Sequence, residues 1–331
     1  MKPQKSILFI ILTGLVVVFF LADLVWGSIR IPFGEVLNTF FGKSANQINS
    51  EILLNFRLPK AITAILAGAS LSVAGLMMQT LFRNPLADPY ILGVSSGASL
   101  GVALAMMSAG MLPFAFGTNS GVIILAAIIG AALVMLLVMA VSFKIQNTVS
   151  LLIVGIMFGT IASAIVSVLQ YFSNPDAIKL FIMWNLGSLS SVTWQQLYYL
   201  IPIIFAGIFL TFYLQKKLDA LLLGESYASG LGISVVQTRV FIVIATGLLA
   251  GAITAFTGPI AFVGIAVPHI ARGIFRTSKH QLLIPASILI GAVLILVCDI
   301  ISQIPTYTLP INTISSLFGA PIIIWIILKR K

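Results

Sequence analysis

The chain has 331 residues, 60% of them apolar and only 8% charged, with a formal net charge of +10. Ordinary globular domains carry about 25% charged residues, so this chain could not cover its own surface in water. That excludes a soluble enzyme, a soluble nucleic-acid binder and a disordered protein. The Lys and Arg residues stand at the ends of apolar runs instead of forming one basic face, a placement that serves membrane topology and not nucleic-acid binding. The composition is that of an all-α polytopic membrane protein, one transmembrane domain over 1–331.

A hydrocarbon core about 30 Å thick takes roughly 20 helical residues to cross. The first candidate span is 7–26, behind Lys2 and Lys5. It imitates a signal peptide, but its apolar stretch is too long for one and long enough to span, so a retained first helix is expected. Spans at 60–81, 90–109, 121–143 and 149–172 follow, then 194–214, 240–257, 260–273, 282–304 and 311–328. The doubtful one is 260–273, which is short and holds Pro268. About ten crossings, with the N-terminus and C-terminus cytoplasmic, put thirteen of the eighteen basic residues inside. Arg30, Lys43, Arg57, Lys60 and Lys179 stay outside. Nine crossings would carry Lys329, Arg330 and Lys331 outside, so the positive-inside rule favours ten.

The connections are uneven. Longer outer stretches occupy 27–59 and 173–193, and a proline-bounded turn lies at 305–310. The longest inner loop, 215–239, has helix-like apolar spacing broken by Gly224, Gly230 and Gly232; two short helices at the membrane face would fit it. Small residues recur four apart at Gly93, Gly97 and Gly101, at Gly155 and Gly159, and at Gly247 and Gly251, a spacing that lets helices pack closely. Leu66-Ala-Gly-Ala69 is echoed by Leu249-Ala-Gly-Ala252 in spans of opposite direction, as inverted repeats would give.

The chain has little chemistry of its own. Gly42-Lys43-Ser44 is not a phosphate-binding loop, because Leu37 stands where its first glycine belongs. The two histidines, His269 and His280, are eleven residues apart, with no metalloprotease spacing, and the lone Cys298 excludes a Cys-cluster metal site. Asp23 and Asp299 sit near outer ends, where a structural role outweighs a functional one. His269, after Pro268, reads as a packing residue. Gln79 and Gln170 either line a path or bond a neighbouring helix. Energy for transport has to come from elsewhere.

One stretch is far more specific than composition: Arg57-Leu-Pro-Lys60, Leu66-Ala-Gly-Ala-Ser-Leu-Ser-Val-Ala-Gly75, Gln79-Thr-Leu-Phe-Arg-Asn-Pro-Leu-Ala-Asp-Pro89 and Leu92-Gly-Val-Ser-Ser-Gly-Ala98. With Gly187-Ser-Leu, Gly224-Glu-Ser-Tyr-Ala-Ser-Gly-Leu-Gly232, the run Gly258 to Arg272 and Leu317-Phe-Gly-Ala-Pro321, it resembles the FecCD/BtuC-type permeases of ABC importers for iron siderophores, haem and vitamin B12. The resemblance runs over nearly the whole chain. It implies a ten-helix subunit paired with a second, usually identical, permease in the cytoplasmic (inner) membrane of a prokaryote. Two ATP-binding cassette subunits join it inside, and an extracytoplasmic substrate-binding protein docks outside. It implies no cofactor bound by this chain; ATP and Mg2+ belong to the partner ATPase.

Residue roles follow from the same resemblance. The ATPase contacts map to Leu221, Leu222, Gly224, Glu225, Ala228, Leu231 and Gly232. Docking of the binding protein maps to Arg57 and Lys60, where one Lys replaces a common Arg and turns a bidentate fork into a point charge; a third basic position matches Gln303. The cytoplasmic gate maps to Asn84, Leu86, Thr148 and Val149, Val149 standing where Ser is common. The candidate wall of the translocation path is small or uncharged: Ser95, Ser96, Ser99, Thr160, Ser163 and Gln170. Such a wall suits a preassembled chelate better than bare ferric iron, and the expected cargo is a ferric siderophore. Haem and cobalamin remain open, and an ion-coupled secondary transporter is the rival of another class.

Overall fold

The computed structural model describes residues 3–27, 29–42, 46–108, 119–143, 148–304 and 308–329. Lys2, Lys43, Ser44, Lys144, Arg330, Lys331 and part of the 305–310 turn lie outside the described residues. Helix α1 (Pro3–Val25) is followed by the short α2 (Phe33–Phe40) and α3 (Gln47–Ile52). A π turn, Leu53–Arg57, then runs without a break into α4 (Leu58–Leu81). A 3-10 turn, Pro89–Leu92, leads to α5 (Val94–Met107), then α6 (Ser120–Ser142), α7 (Thr148–Phe172), α8 (Pro175–Asn185) and α9 (Trp194–Leu223). The rest is α10 (Glu225–Gly230), α11 (Val235–Thr246) joined through a π turn to α12 (Ala252–Thr257), α13 (Val263–Phe275), α14 (His280–Ser302) and α15 (Ile311–Lys329).

Every expected span falls on helix. Among the described residues seven helices are long and apolar enough to cross a membrane, and three apolar ones, Val94–Met107, Val263–Phe275 and Ile311–Ile324, are shorter. At 14 and 13 residues, α5 and α13 reach only about 20 Å. Each follows an irregular segment that the protein itself satisfies. Ile260 N–H donates to the Tyr90 hydroxyl at 3.2 Å, Ala261 N–H to Asn312 Oδ1 at 3.0 Å, and Ser188 N–H to the Thr257 carbonyl at 2.7 Å. Non-helical backbone at membrane depth is tolerated only when it is enclosed in this way.

The expected inner loop 215–239 is corrected. Helix α9 continues through Leu223, and Arg239 already belongs to α11, so only 224–234 connects them, with α10 as its one short helix. The buried stripe Leu200, Ile204, Gly207, Thr211, Leu214, Leu218 and Leu221 keeps its three- to four-residue spacing past position 214. Lys216 and Lys217 end the lipid-compatible run there, but charge does not end a helix. The 30 residues of α9 span about 45 Å, well beyond a hydrocarbon core. The stretches expected outside, in turn, contain helices that the sequence left unassigned: α2 and α3 in 27–59, α8 in 173–193.

Helix α4 is the central post. Its most apolar window is 83% buried, against 17% for α1 and 28% for α7. It meets its neighbours backbone to backbone. A methyl group on Gly68 would fall 2.1 Å from the Gly291 carbonyl of α14, and one on Gly75 would fall 1.9 Å from the Gly264 carbonyl of α13. The four-residue glycine spacing does the same work elsewhere: Gly97 and Gly101 face the Gly130 and Ala126 carbonyls of α6, and Gly155 faces the Ile91 carbonyl. The two echoed Leu-Ala-Gly-Ala stretches lie in α4 and across the π turn into α12. Each lies within the long helix of a unit made of full helix, irregular break and short helix.

Candidate functional site

The candidate residues gather at opposite ends of α4. At its beginning, Arg57 closes the π turn and donates from Nη1 to the carbonyls of Leu24 (2.7 Å) and Val25 (2.9 Å), with Nη2 bonded to the Ile29 carbonyl. These include the open carbonyls at the end of α1, which a guanidinium fork is shaped to cap. One turn on, Lys60 Nζ lies 2.7 Å from Asp299 Oδ2 of α14 and 3.6 Å from Asp23 Oδ1 of α1. Gln303 completes the cluster, its amide 3.1 Å from Asp23 Oδ1 and 3.0 Å from Asp299 Oδ2. Arg57 and Lys60 are each 6% exposed. Both were expected to offer their charge to a partner at the rim; the fold turns both inward, onto α1 and α14. A carboxylate on each neighbouring helix supplies the reason, and positions 23, 60 and 299 are too far apart in the chain for any local pattern to pair them.

At the other end of α4 the chain turns through Arg83, a non-glycine residue at φ 47°. Its Nε donates to the Leu221 carbonyl of α9 at 3.3 Å. Three residues later Gly224 ends α9 with φ 128° and ψ 148°, a left-handed setting that glycine adopts without a Cβ penalty. A Cβ there would also meet the Arg83 guanidinium at 3.1 Å. Leu221 and Ala228 are buried and anchor the turn, whereas Leu222, Leu223, Tyr227 and Leu231 are 37–67% exposed. Glu225 pairs with the buried Arg239 of α11 at 3.1 Å, and Gly232, at φ 77°, ends the turn. The result is an apolar knob beyond the last lysines of α9, fixed by two arginines. Neither Arg83 nor Arg239 carries a local sequence signal of this role.

The gate residues divide. Asn84 Oδ1 accepts from the Leu86 N–H at 3.0 Å, and Leu86 is exposed. Thr148 opens α7, with its side chain outside the described residues, and Val149 is exposed. The turn and α7 meet at Ile91 and Leu92 against Gly155. Along the candidate path Ser95, Ser96 and Ser99 are half-buried on α5, and Thr160 and Ser163 lie on the exposed face of α7, with Gln170 half-buried. Thr160 donates to the Ile156 carbonyl of its own helix at 2.9 Å, so its oxygen is left as a weak outward acceptor. Gln79 resolves as a helix-bonding residue: its amide donates to the Gly264 and Ile265 carbonyls of α13 and its oxygen accepts from Arg272.

This arrangement matches known proteins along its length. The model of the FecCD transport family matches residues 15–329. The hemin transport system permease protein HmuU of Yersinia pestis is 32% identical over 333 residues, covering 100% of this chain and 97% of that protein. The vitamin B12 import system permease protein BtuC of Vibrio parahaemolyticus is 35% identical over 306 residues, 91% of this chain and 90% of that one. A solved structure, an ABC transporter assigned to the metal-chelate type in an inward-facing conformation, superposes with a TM-score of 0.86 at 27% identity, covering 98% of this chain and 99% of that chain.

Proposed function

The chain belongs to the FecCD transport family, and on that premise we propose that it is the permease of an ATP-driven importer whose cargo is a ferric siderophore. That it is a membrane permease of an ABC importer follows from the family; cargo, partners and topology are our reading. The observation that carries it is the exposed apolar knob of Leu222, Leu223, Tyr227 and Leu231 around Gly224. An apolar surface on a helix end that overruns the hydrocarbon core needs a protein to cover it, and a separate ATPase subunit fits. The knob then lies in the cytoplasm, and the positive-inside rule agrees. About ten crossings, with both chain ends cytoplasmic, follow if α5, α13 and α15 count as crossings, α5 and α13 being short helices among close-packed neighbours.

We place the protein in the inner membrane of a prokaryote as half of a homodimer, with two ATP-binding cassette subunits below and a substrate-binding protein above. ATP and Mg2+ bind in the cassettes, and no cofactor binds this chain. The exposed face of α7, with Thr160 and Ser163, is supported as the path wall by its weak acceptors, which let a chelate pass without competing for its metal. The 84–86 turn with Thr148 and Val149 is assigned to the inner gate. Docking of the binding protein is assigned to the Arg57 end, where any carboxylate reaching Lys60 has to compete with Asp299. A second reading, import of haem or cobalamin, is favoured by the similarity to the hemin and vitamin B12 permeases.

The test is a reconstituted complex in vesicles, given a ferric siderophore labelled on both metal and ligand, then haem and cobalamin. ATP-dependent entry of both labels together is expected. Entry of haem or cobalamin alone would establish the second reading. Metal entering without ligand would overturn the whole-chelate path, and uptake without ATP or cassette would overturn the importer.

A further inference from the structure

Three side chains with no part in the site above meet at the Gly224 end: Thr80 of α4, Asp219 of α9 and His280 of α14. His280 is 1% exposed. Its Nδ1 lies 2.7 Å from Asp219 Oδ1, and its backbone N–H donates to the same oxygen at 2.8 Å. Its Nε2 lies 2.8 Å from Thr80 Oγ1. Thr80 Oγ1 also lies 2.9 Å from the Leu76 carbonyl of its own helix. An ionised carboxylate can only accept. The Nδ1 hydrogen goes to the carboxylate and Nε2 bonds the Thr80 hydroxyl, so the ring is held from two sides by two different helices.

Capping α14 would need only the backbone N–H bond to Asp219. The ring reaches past that, to the last turn of α4. Asp219 stands two residues before Leu221, whose carbonyl takes the Arg83 bond at 3.3 Å. The overhang of α9 is thus tied to the end of α4 at two successive places, through His280 and through Arg83. One body results, with the apolar knob at one edge and the 84–86 turn at the other.

We propose that His280 is a positioning residue for energy coupling: it makes the α9 overhang and the end of α4 move together, so that displacement of the Gly224 knob reaches the 84–86 turn. The proposal rests on the reading of that knob as the ATPase contact. A ring that only filled space would not need both nitrogens bonded to different helices. A break at either nitrogen leaves only the Arg83 tie, so α9 should follow α4 less closely and more ATP be hydrolysed per cargo moved.

The experiment uses the whole complex in vesicles and reads three quantities: ATPase co-purification, basal ATP hydrolysis, and cargo imported per ATP. Thr80→Val keeps the side-chain shape and removes the hydroxyl that bonds Nε2; Thr80→Ser keeps the hydroxyl. Asp219→Asn keeps an oxygen for the backbone bond and removes the charge. Thr80→Val and Asp219→Asn are expected to lower cargo per ATP about tenfold, with co-purification and basal hydrolysis unchanged and Thr80→Ser at the wild-type ratio. His280→Ala should match Thr80→Val if it folds. A wild-type ratio in Thr80→Val overturns the proposal, as does a fall in assembled complex with the ratio unchanged. If the ATPase fails to bind the wild-type permease, the coupling reading falls first, and this inference with it.

Discussion

Lys60→Met would separate a structural lysine from a docking one. Methionine fills nearly the same volume, so packing around residue 60 changes little and the charge is the variable. The ammonium sits 2.7 Å from Asp299 and 3.6 Å from Asp23, with side-chain exposures of 7%, 6% and 0%. Taking one partner from a buried ion pair costs about 3–5 kcal/mol, because the remaining charge stays buried. Here two carboxylates would remain, but Gln303 still donates to both. The loss should therefore fall at the low end, about 3 kcal/mol. That corresponds to roughly a hundredfold larger unfolded fraction. Equilibrium unfolding in mild detergent measures it, and the triple variant Lys60→Met, Asp23→Asn, Asp299→Asn should recover all but about 1 kcal/mol. An unchanged unfolding midpoint in Lys60→Met, with weaker binding of the substrate-binding protein, would refute the internal assignment and restore Lys60 to the rim.

Two further outcomes follow from the backbone. Gly224→Leu forces a side chain into φ 128° and toward the Arg83 guanidinium; the permease should still be extracted folded, while ATPase co-purification and transport are lost. Gly75→Val places carbon 1.9 Å from a backbone carbonyl that has no rotamer by which to move, so a loss of at least about 3 kcal/mol is expected, read as a fall in folded yield and in unfolding midpoint.

The sequence located every long helix, because lipid-crossing runs declare themselves by composition. It failed where composition and hydrogen bonding part company. Lys216 and Lys217 ended an apolar run but not α9, and the polar stretch 27–59 concealed α2 and α3. Gly224 was legible as a break, since glycine between two helix-like patterns has few other meanings. Which of its neighbours face outward was not: Leu221 and Ala228 turned inward, and only the helical phase set by Leu218 and Arg239 decides that. The inward turn of Arg57 and Lys60 was least visible, since it depends on Asp23 and Asp299 from helices far away in the chain. His280 read as an isolated histidine for the same reason.

The burial of the helices is graded, and that gives the protein more than one response to the bilayer around it. The apolar windows of α1, α6 and α9 are 17–33% buried and those of α4 and the α11–α12 rod 83% and 72%. A thicker or thinner membrane therefore acts on the outer helices, by tilting them or stretching their flanks, while the short α5 and α13 inside are screened from it. Helix α9 belongs to both populations, with its outer turns in lipid and its last turns tied to α4. Changes in acyl-chain length would reach the central post by way of α9, so that lipid thickness becomes a mechanical input to the same rod that bears the Gly224 knob.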